Sequence, residues 1–398
     1  MCSISEKCGG CQYLDVEYEK QLKDKHKKLK KLLKDYGEVD DVIGMKTPLH
    51  YRNKVHRVLE FRKGKGVIAG TYEEKSHRVV PVKHCYIEDE RCQCIIDDIC
   101  ELIKSFKMTI FNEDTGFGFM RHILLRTGNT SGQIMVVLVT ANGAFPSKKN
   151  FVNALLKKHP EITTIVQNIN DKKTSMVLGT RENILYGKGF IEDTLCGRKF
   201  KISSRSFYQV NPVQTEILYK KALKFADFKK TDRIIDAYCG IGTIGIIASD
   251  KVEEVIGVEL NKDAVRDAIT NAKLNGVKNI KFYNNDAGKF MKDIALANEE
   301  GELDKVVIDG VIMDPPRTGS SEEFLEAVTM LAPKKVVYIS CGPESLASDL
   351  KYLASHGYEV QKMCGVDMFA MTEHVETVAL LSKLSEATNH IDIKVDMD

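Results

Sequence analysis

From about Ser206 onward, short β-branched runs in the sequence alternate with helical patterns. The runs "DRIIDAYCG", "EEVIGVEL", "KVVIDGVIMDPP" and "KVVYISCG" are typical of strands, and "NKDAVRDAITNAKLNG" has the spacing of an amphipathic helix. This alternation predicts an α/β fold with a doubly wound, mostly parallel, Rossmann-like sheet. Functional side chains in such a sheet lie at the carboxyl ends of the strands, so the residues that end each run are the first candidates for a site.

A glycine-rich turn follows the first of these runs. Gly240, Gly242 and Gly245 form the pattern G-x-G-x-x-G between a predicted strand and a predicted helix, where backbone can approach a ligand closely. Glu259 ends the next run about 20 residues on, where a carboxylate can accept hydrogen bonds from both hydroxyls of a ribose. By itself this pattern fits either a nicotinamide dinucleotide or S-adenosylmethionine.

Two further features favour S-adenosylmethionine. Asp236 precedes the glycines, and we expect its carboxylate to face the cofactor's sulfonium and amino groups, since it would repel a pyrophosphate. Asp286 ends the third run at the adenine side, and Asp314 ends the fourth in "IMDPPRTG", which a dehydrogenase does not need. The two prolines stiffen that loop, so it can hold a flat base beside a methyl donor.

The last run ends in Ser340 and Cys341, followed by Gly342 and Pro343, which places a thiol at the same sheet edge. C5 of uracil is a poor nucleophile, but a thiolate that adds to C6 enables C5 to attack a methyl group. A base must then remove the C5 proton so that the thiolate can leave. Enzymes that methylate exocyclic amines carry similar Asp-Pro-Pro loops and need no thiol, so they remain an alternative.

The segment "DMFAMTEHVETVALL" offers a base for that step in Asp367, Glu373, His374 and Glu376. Glu376 begins the predicted closing strand "ETVALL" and is slightly favoured by its position. Spacing alone leaves Glu373 and His374 open.

Residues 48–204 read mostly as strands and predict an α+β domain on an antiparallel sheet. "NKVHRVLEFRKGKGVIAGTY" is typical of a hairpin, "HILLRTG" and "GQIMVVLVT" of a second pair, and "CIIDDICELIKSF" and "SKKNFVNALLKKHP" of helices. Before them, leucines at helical spacing in "EYEKQLKDKHKKLKKLLKDYG" predict a basic amphipathic helix that Gly37 ends. This helix is either a solvated surface helix or one that faces RNA.

Composition narrows the class of protein. The net charge is only +2, so any nucleic-acid binding must come from local patches. No apolar run is long enough to span a membrane and no leader precedes the cysteines, so we expect a cytoplasmic protein. Eleven cysteines in such a chain favour metal binding or thiol chemistry over disulfides.

Five motifs together resemble the uracil-5 RNA methyltransferases, which make 5-methyluridine in ribosomal and transfer RNA. They are "SFYQVN", "DAYCGIGTIG", "IMDPPRTG", "SCGPESLASDL" and "MTEHVETVALL", and they occur in family order. The resemblance covers essentially the whole chain. It implies that Cys341 is the nucleophile and Glu376 the general base. It also implies an S-adenosylmethionine site at Gln209, Tyr238, Gly240, Glu259, Asp286 and Asp314, with Thr243 where relatives often have asparagine.

The ribosomal branch of that family carries a [4Fe–4S] cluster on a Cys pattern that Cys2, Cys8, Cys11 and Cys85 match here. Thiolates suit such a cluster, although the same four thiols would suit zinc. The transfer-RNA branch typically lacks these cysteines, so the resemblance implies 23S ribosomal RNA as substrate and transfer RNA as the alternative. Many ribosomal relatives begin with a small RNA-binding β-barrel, which this sequence does not show.

For RNA contacts we expect Arg317, Arg121 and Phe207, since splayed bases are held by aromatic and arginine planes. The expected division is 1–47 for the cysteine motif and basic helix, 48–204 for an RNA-binding α+β domain, and 205–398 for the methyltransferase domain. We expect a monomer. Two other classes remain open: an iron–sulfur redox protein that binds a dinucleotide, and a non-catalytic RNA-binding module.

Overall fold

The computed structural model describes residues 2–172, 176–300 and 306–384. The tail "SEATNHIDIKVDMD", which the sequence suggests is mobile, lies outside the described residues. The helices are α1 Ser5–Cys8, α2 Tyr18–Leu33, α3 Arg91–Ser105, α4 Lys148–Lys158, α5 Pro212–Ala226, α6 Thr243–Ala248, α7 Lys262–Leu274, α8 Ala287–Glu300, α9 Glu322–Leu331 and α10 Pro343–Ser355. The strands are β1 Val39–Ile43, β2 Lys54–Arg62, β3 Gly66–Tyr72, β4 Val79–Pro81, β5 Met120–Thr127, β6 Ile134–Thr140, β7 Ile162–Ile169, β8 Arg181–Tyr186, β9 Phe190–Leu195, β10 Arg198–Ser203, β11 Arg233–Ala237, β12 Glu254–Glu259, β13 Ile280–Asn284, β14 Gly310–Met313, β15 Lys335–Ser340, β16 Tyr358–Val366 and β17 Glu376–Lys383.

The C-terminal half forms the predicted doubly wound α/β sheet. Its eight strands are ordered β1-β16-β17-β15-β14-β11-β12-β13, and β11 to β15 are parallel. Helices cover both faces, and the β-branched runs of these strands fill two apolar cores, one on each side of the sheet. The fold class expected from the alternating pattern is therefore confirmed.

Strand β17 departs from the parallel arrangement because it returns through a hairpin from β16. It inserts between β15 and β16 and runs antiparallel to both. Its first residue therefore lies at the same end of the sheet as the last residues of the parallel strands. This reversal brings the residues after β15 next to the residues before and at the start of β17.

The middle of the chain forms a seven-stranded sheet of order β4-β3-β2-β5-β6-β7-β8, with α3 and α4 on one face. Both predicted hairpins are present, as β2–β3 and β5–β6. The sheet is not wholly antiparallel, because α4 carries the chain across and β7 pairs parallel to β6. The small β9–β10 hairpin packs between this sheet and the core of the C-terminal sheet.

The predicted basic helix is α2, followed by a short 3₁₀ turn that ends at Gly37 with a φ of 117°. Its inner face buries Gln21, Lys25, Leu29 and Leu33. Strand β1, which follows, pairs in parallel with β16 at the edge of the C-terminal sheet. The domain boundaries at 47/48 and 204/205 stay a prediction. Within the described residues, no helix combines the length and the apolar character that a membrane crossing needs.

Candidate active site

Cys341 and Glu376 lie side by side because of strand register. In the antiparallel β15–β17 pair, Ser340 is opposite Thr377. Cys341 and Glu376 are one step further along the same pair, at the end of the sheet where the parallel strands finish. Glu376 is also the partner of Val366 in the β16–β17 ladder, so strand β16 fixes its backbone.

The turn after Cys341 brings its loop against the Asp-Pro-Pro loop. The Ser340 hydroxyl and the Gly342 backbone bond each other across the turn, and Pro343 opens α10. A Cβ on Gly342 would lie 2.9 Å from the carbonyl oxygen of Arg317. Glycine is therefore needed at 342 for the two loops to approach this closely.

The glycine turn follows β11 and leads into α6, as predicted. The backbone N–H of Gly240 donates to Glu259 Oε2 at 3.0 Å, and that of Asn261 donates to Oε1 at 2.7 Å. Glu259 thus holds the turn, and its remaining lone pairs can still accept hydrogen bonds from a ribose. Tyr238 has a φ of 61°, a costly conformation for a residue with a side chain, which is typical of a ligand-binding turn.

Asp236 does not face the cofactor space as expected. Its carboxylate lies beneath the turn, 1% exposed, and accepts a hydrogen bond from the Gly245 N–H at 2.8 Å. A Cβ on Gly245 would approach the same oxygen to 2.8 Å, so the third glycine makes room for Asp236. The expectation was wrong because strand pleating, which spacing alone did not resolve, turns this side chain toward the helix.

These loops enclose one cavity of about 440 Å³. Cys341, Glu376, Asp314 and Arg317 lie on its wall together with the glycine turn. The other lining residues are Arg52, Phe207, Tyr208, Gln209, Val210, Tyr219, Tyr238, Cys239, Gly240, Ile241, Thr243, Ile244, Glu259, Pro315, Pro316 and Phe369. The cavity is thus large enough for a nucleoside cofactor and reaches the thiol.

Burial and neighbouring charges shift the pKa values of three groups in this cavity. Burial raises the pKa of Asp314 to about 7 and, together with the charge of Asp314, raises that of Glu376 to about 8. Burial and the carboxylates of Glu376 and Asp314 raise the pKa of the Cys341 thiol to about 11. The guanidinium of Arg317 opposes both of the latter shifts. Arg317 therefore favours the thiolate and the charged carboxylate.

Most of the predicted cofactor residues line this cavity, but Asp286 does not. It follows β13, and its carboxylate accepts from the Lys289 N–H at the start of α8. Phe207 is exposed on the cavity wall. Arg121 lies elsewhere, 4% exposed in the central sheet, where it donates to the carbonyls of Asn170 and Lys172. The roles assigned to Asp286, Phe207 and Arg121 stay predictions.

Several cavity residues were not among the sequence candidates, and Tyr219 and Phe369 are two of them. Tyr219 on α5 is 2% exposed and lies 3.4 Å from the Thr243 hydroxyl. Its spacing along the helix indicates only that it is a core residue. Phe369 lies in the segment that supplied the candidate bases, and an aromatic residue there could have been noticed next to charged candidates.

The four predicted cluster cysteines surround a second cavity of about 410 Å³, to which Arg52 and Val210 also belong. Burial, and then the neighbouring thiols of Cys85, Cys8 and Cys2, raises the pKa of Cys11 to about 12. The chain therefore gathers four sulfur donors on one space, a donor set that fits a thiolate-bound group. In the described parts of the chain, no three His, Cys, Asp or Glu side chains are placed to hold a single metal ion.

The sheet, the glycine turn and Glu259 around one cavity define a protein with a Rossmann-like cofactor site, and the Asp-Pro-Pro loop on the same cavity favours S-adenosylmethionine as the cofactor. A model of the tRNA (uracil-5-)-methyltransferase family matches residues 17–384, and the chain belongs to that family.

Relatives and a solved structure agree with this assignment. An RNA methyltransferase of Clostridium tetani is 41% identical over 96% of this chain and 82% of its own length. An RNA methyltransferase of Halalkalibacterium halodurans is 40% identical over 96% of this chain and 82% of its own length. The Pyrococcus abyssi tRNA (uracil-54, C5)-methyltransferase, solved with S-adenosyl-L-homocysteine, superposes with a TM-score of 0.76 at 28% identity. That match covers 94% of this chain and 85% of the other.

Cofactor binding should release protons near neutral pH. Asp314 has a pKa of about 7 in the free protein, and a sulfonium cation beside it would favour its charged form. The affinity for S-adenosylmethionine should therefore fall as pH drops below about 7, whereas S-adenosylhomocysteine, neutral at sulfur, should show a weaker dependence. Calorimetry in two buffers of different ionisation enthalpy measures the protons released. Equal release with both ligands, or unchanged release in Asp314→Asn, would contradict this assignment.

Proposed function

We propose that this protein methylates C5 of a uridine in RNA through a covalent bond between Cys341 and C6. The observation that carries the proposal is the placement of Cys341 beside Glu376 on the cavity that also holds Asp314. Methylation of an exocyclic amine would need neither residue, since nitrogen attacks directly. A thiol and a buried carboxyl that lie opposite each other on neighbouring strands are suited to addition of the thiol to C6 and then to removal of the proton from C5.

Cys341, Arg317 and Glu376 have different roles in the proposed reaction. The Cys341 thiolate, favoured by Arg317, forms a bond to C6, and electron density moves to C5 and O4. Bound S-adenosylmethionine supplies the methyl group that C5 takes up. Glu376 then removes the C5 proton, the C6–S bond breaks, and the thiolate of Cys341 is restored. A pKa of about 8 suits Glu376 to this step, because a weakly acidic carboxyl is the stronger base.

We propose 23S ribosomal RNA as the substrate. The support is the set of Cys2, Cys8, Cys11 and Cys85 on one cavity, which matches the ribosomal branch that the sequence resembles. Transfer RNA is the second candidate, favoured by the similarity to the Pyrococcus abyssi tRNA enzyme. Mapping of 5-methyluridine in ribosomal and transfer RNA from cells lacking this protein separates them. Loss of the modification from 23S RNA alone is expected, and an unchanged 23S map would contradict the proposal.

We further propose that the four cysteines hold a [4Fe–4S] cluster with a structural role. Anaerobically purified protein should contain about four irons per chain and absorb broadly in the visible range. Cys85→Ser should lose most of this iron, because its thiol is one of the four donors on the cavity. Cys94→Ser is the matched control, since that thiol is exposed on α3 and outside the cavity. Zinc without iron in the wild type would contradict the cluster.

A further inference from the structure

Hydrogen bonds from other parts of the chain hold the loop that joins β16 to β17, residues 367–375. Five consecutive backbone carbonyls, from Asp367 to Met371, each accept a hydrogen bond from a different residue outside the loop. The donors, in order, are Gln214 Nε2 at 3.0 Å, Asn211 Nδ2 at 3.1 Å, Lys25 Nζ at 3.1 Å, the Tyr51 hydroxyl at 3.0 Å and the Tyr13 N–H at 3.0 Å. Three of these donors come from the first 51 residues of the chain.

Lys25 and Asp367 form the centre of this arrangement. Their side chains are fully buried, and Lys25 Nζ lies 2.7 Å from Asp367 Oδ1. The same oxygen accepts from the Phe369 N–H at 3.1 Å, and Oδ2 accepts from the Tyr18 hydroxyl at 2.8 Å. Because Lys25 also binds the Phe369 carbonyl, both backbone polar groups of Phe369 are fixed by this one ion pair.

A buried ion pair is poor evidence for stability, because removing two charges from water offsets much of their attraction. It does specify geometry, since neither charge tolerates loss of the other. The loop is also held in a strained shape, with Met371 at a φ of 66° and its N–H bonded to Gln21 Oε1 at 2.9 Å. Such strain persists only where surrounding contacts fix it, and it clusters at functional sites.

The loop leads directly to the proposed base. Val366, just before Asp367, is the ladder partner of Glu376, and Phe369 lines the active-site cavity. Among the described residues, no backbone N–H or side chain donates a hydrogen bond to the Glu376 carboxylate. Its position therefore depends on its own backbone, which the ladder holds on one side and the loop on the other.

We infer that Lys25 and Asp367 are positioning residues for proton removal. Lys25 acts from α2 and Asp367 from within the 367–375 loop, and both act on Phe369 and Glu376. This inference rests on the proposed covalent mechanism. A displacement of Glu376 should slow the departure of Cys341 from methylated RNA while leaving the cofactor cradle of Glu259 and Gly240 unchanged.

The test measures how much enzyme is trapped on ordinary uridine RNA, by denaturing gel, during steady-state turnover. For Lys25→Met we expect turnover to fall about 10- to 100-fold, the range for a displaced catalytic group. The trapped fraction should rise, and the KM for S-adenosylmethionine should stay within about twofold of wild type. Lys31→Met, at an exposed position on the same helix, should match the wild type in all three.

Two further variants distinguish a displaced Glu376 from a loss of stability. The double variant Lys25→Met with Asp367→Asn removes both charges, so stability should recover. The trapped fraction should stay high, because the Phe369 carbonyl loses the bond from Lys25 and keeps only its bonds from Thr372 within the loop. Tyr18→Phe removes one bond to Asp367, together with the bond that the Met45 N–H donates to the same hydroxyl, and keeps the ion pair. It should therefore raise the trapped fraction to a smaller extent. The inference would be overturned if these variants are folded and the fraction of enzyme trapped on RNA is the same as in the wild type. Glu376→Gln is the reference: if it traps no adduct, the proposed mechanism itself fails.

Discussion

Replacement of Cys341 by alanine is expected to lower RNA methylation at least about 1,000-fold, the scale seen when an enzyme loses its nucleophile. The reason is that uracil C5 attacks a methyl group only after C6 has gained a covalent bond, and the chain offers this thiol at the cofactor cavity. The measurement is transfer of labelled methyl groups to a loop RNA containing the target uridine, with mapping of the product to C5.

Binding of S-adenosylhomocysteine by the Cys341→Ala variant should remain close to wild type, because Glu259 and the glycine turn are unchanged. Cys94→Ala should retain full activity, since it removes an exposed thiol away from the cavity. An RNA carrying 5-fluorouridine should trap wild-type enzyme, because no proton can leave C5, and should not trap the variant. Methylation at C5 by Cys341→Ala would show that the covalent mechanism is wrong.

The second large effect is expected for Glu376→Gln, which should slow product formation about 100- to 10,000-fold, the usual contribution of a general base. The amide keeps the size of the side chain but cannot take the C5 proton. Addition and methylation should still occur, so the variant should accumulate as a covalent complex with ordinary uridine RNA. Denaturing gels and intact mass of the complex, which should include the transferred methyl group, provide the measurement.

Glu373→Gln is the matched control, because Glu373 is exposed in the same loop while Glu376 is 3% exposed. It should turn over as wild type does and accumulate no complex. If Glu373→Gln were the variant that accumulated, the base would be Glu373, one of the alternatives that spacing left open. If both turned over normally, another group, such as His374 in the same segment, would remove the proton.

The sequence predicted most of the cofactor side of the site because that chemistry is local. A β-branched run, a glycine turn and an acidic residue at the next strand end follow one another within some 25 residues, and parallel strands bring their carboxyl ends to one edge. Gly240, Glu259 and Asp314 lie on the cavity as their spacing predicted. Asp236 was misplaced because alternate strand residues point to opposite faces, and the pattern alone did not show which face held the cofactor.

What the sequence determined by itself was the class of fold, since an alternation of buried strands and amphipathic helices has few packed solutions. It also determined which strand ends carry reactive side chains. Only the tertiary structure placed Cys341 beside Glu376, because that contact depends on β17 reversing direction next to β15. The tertiary structure alone also brought Lys25 to Asp367, residues that no local pattern connects, because burial of the two charges requires that they lie against each other.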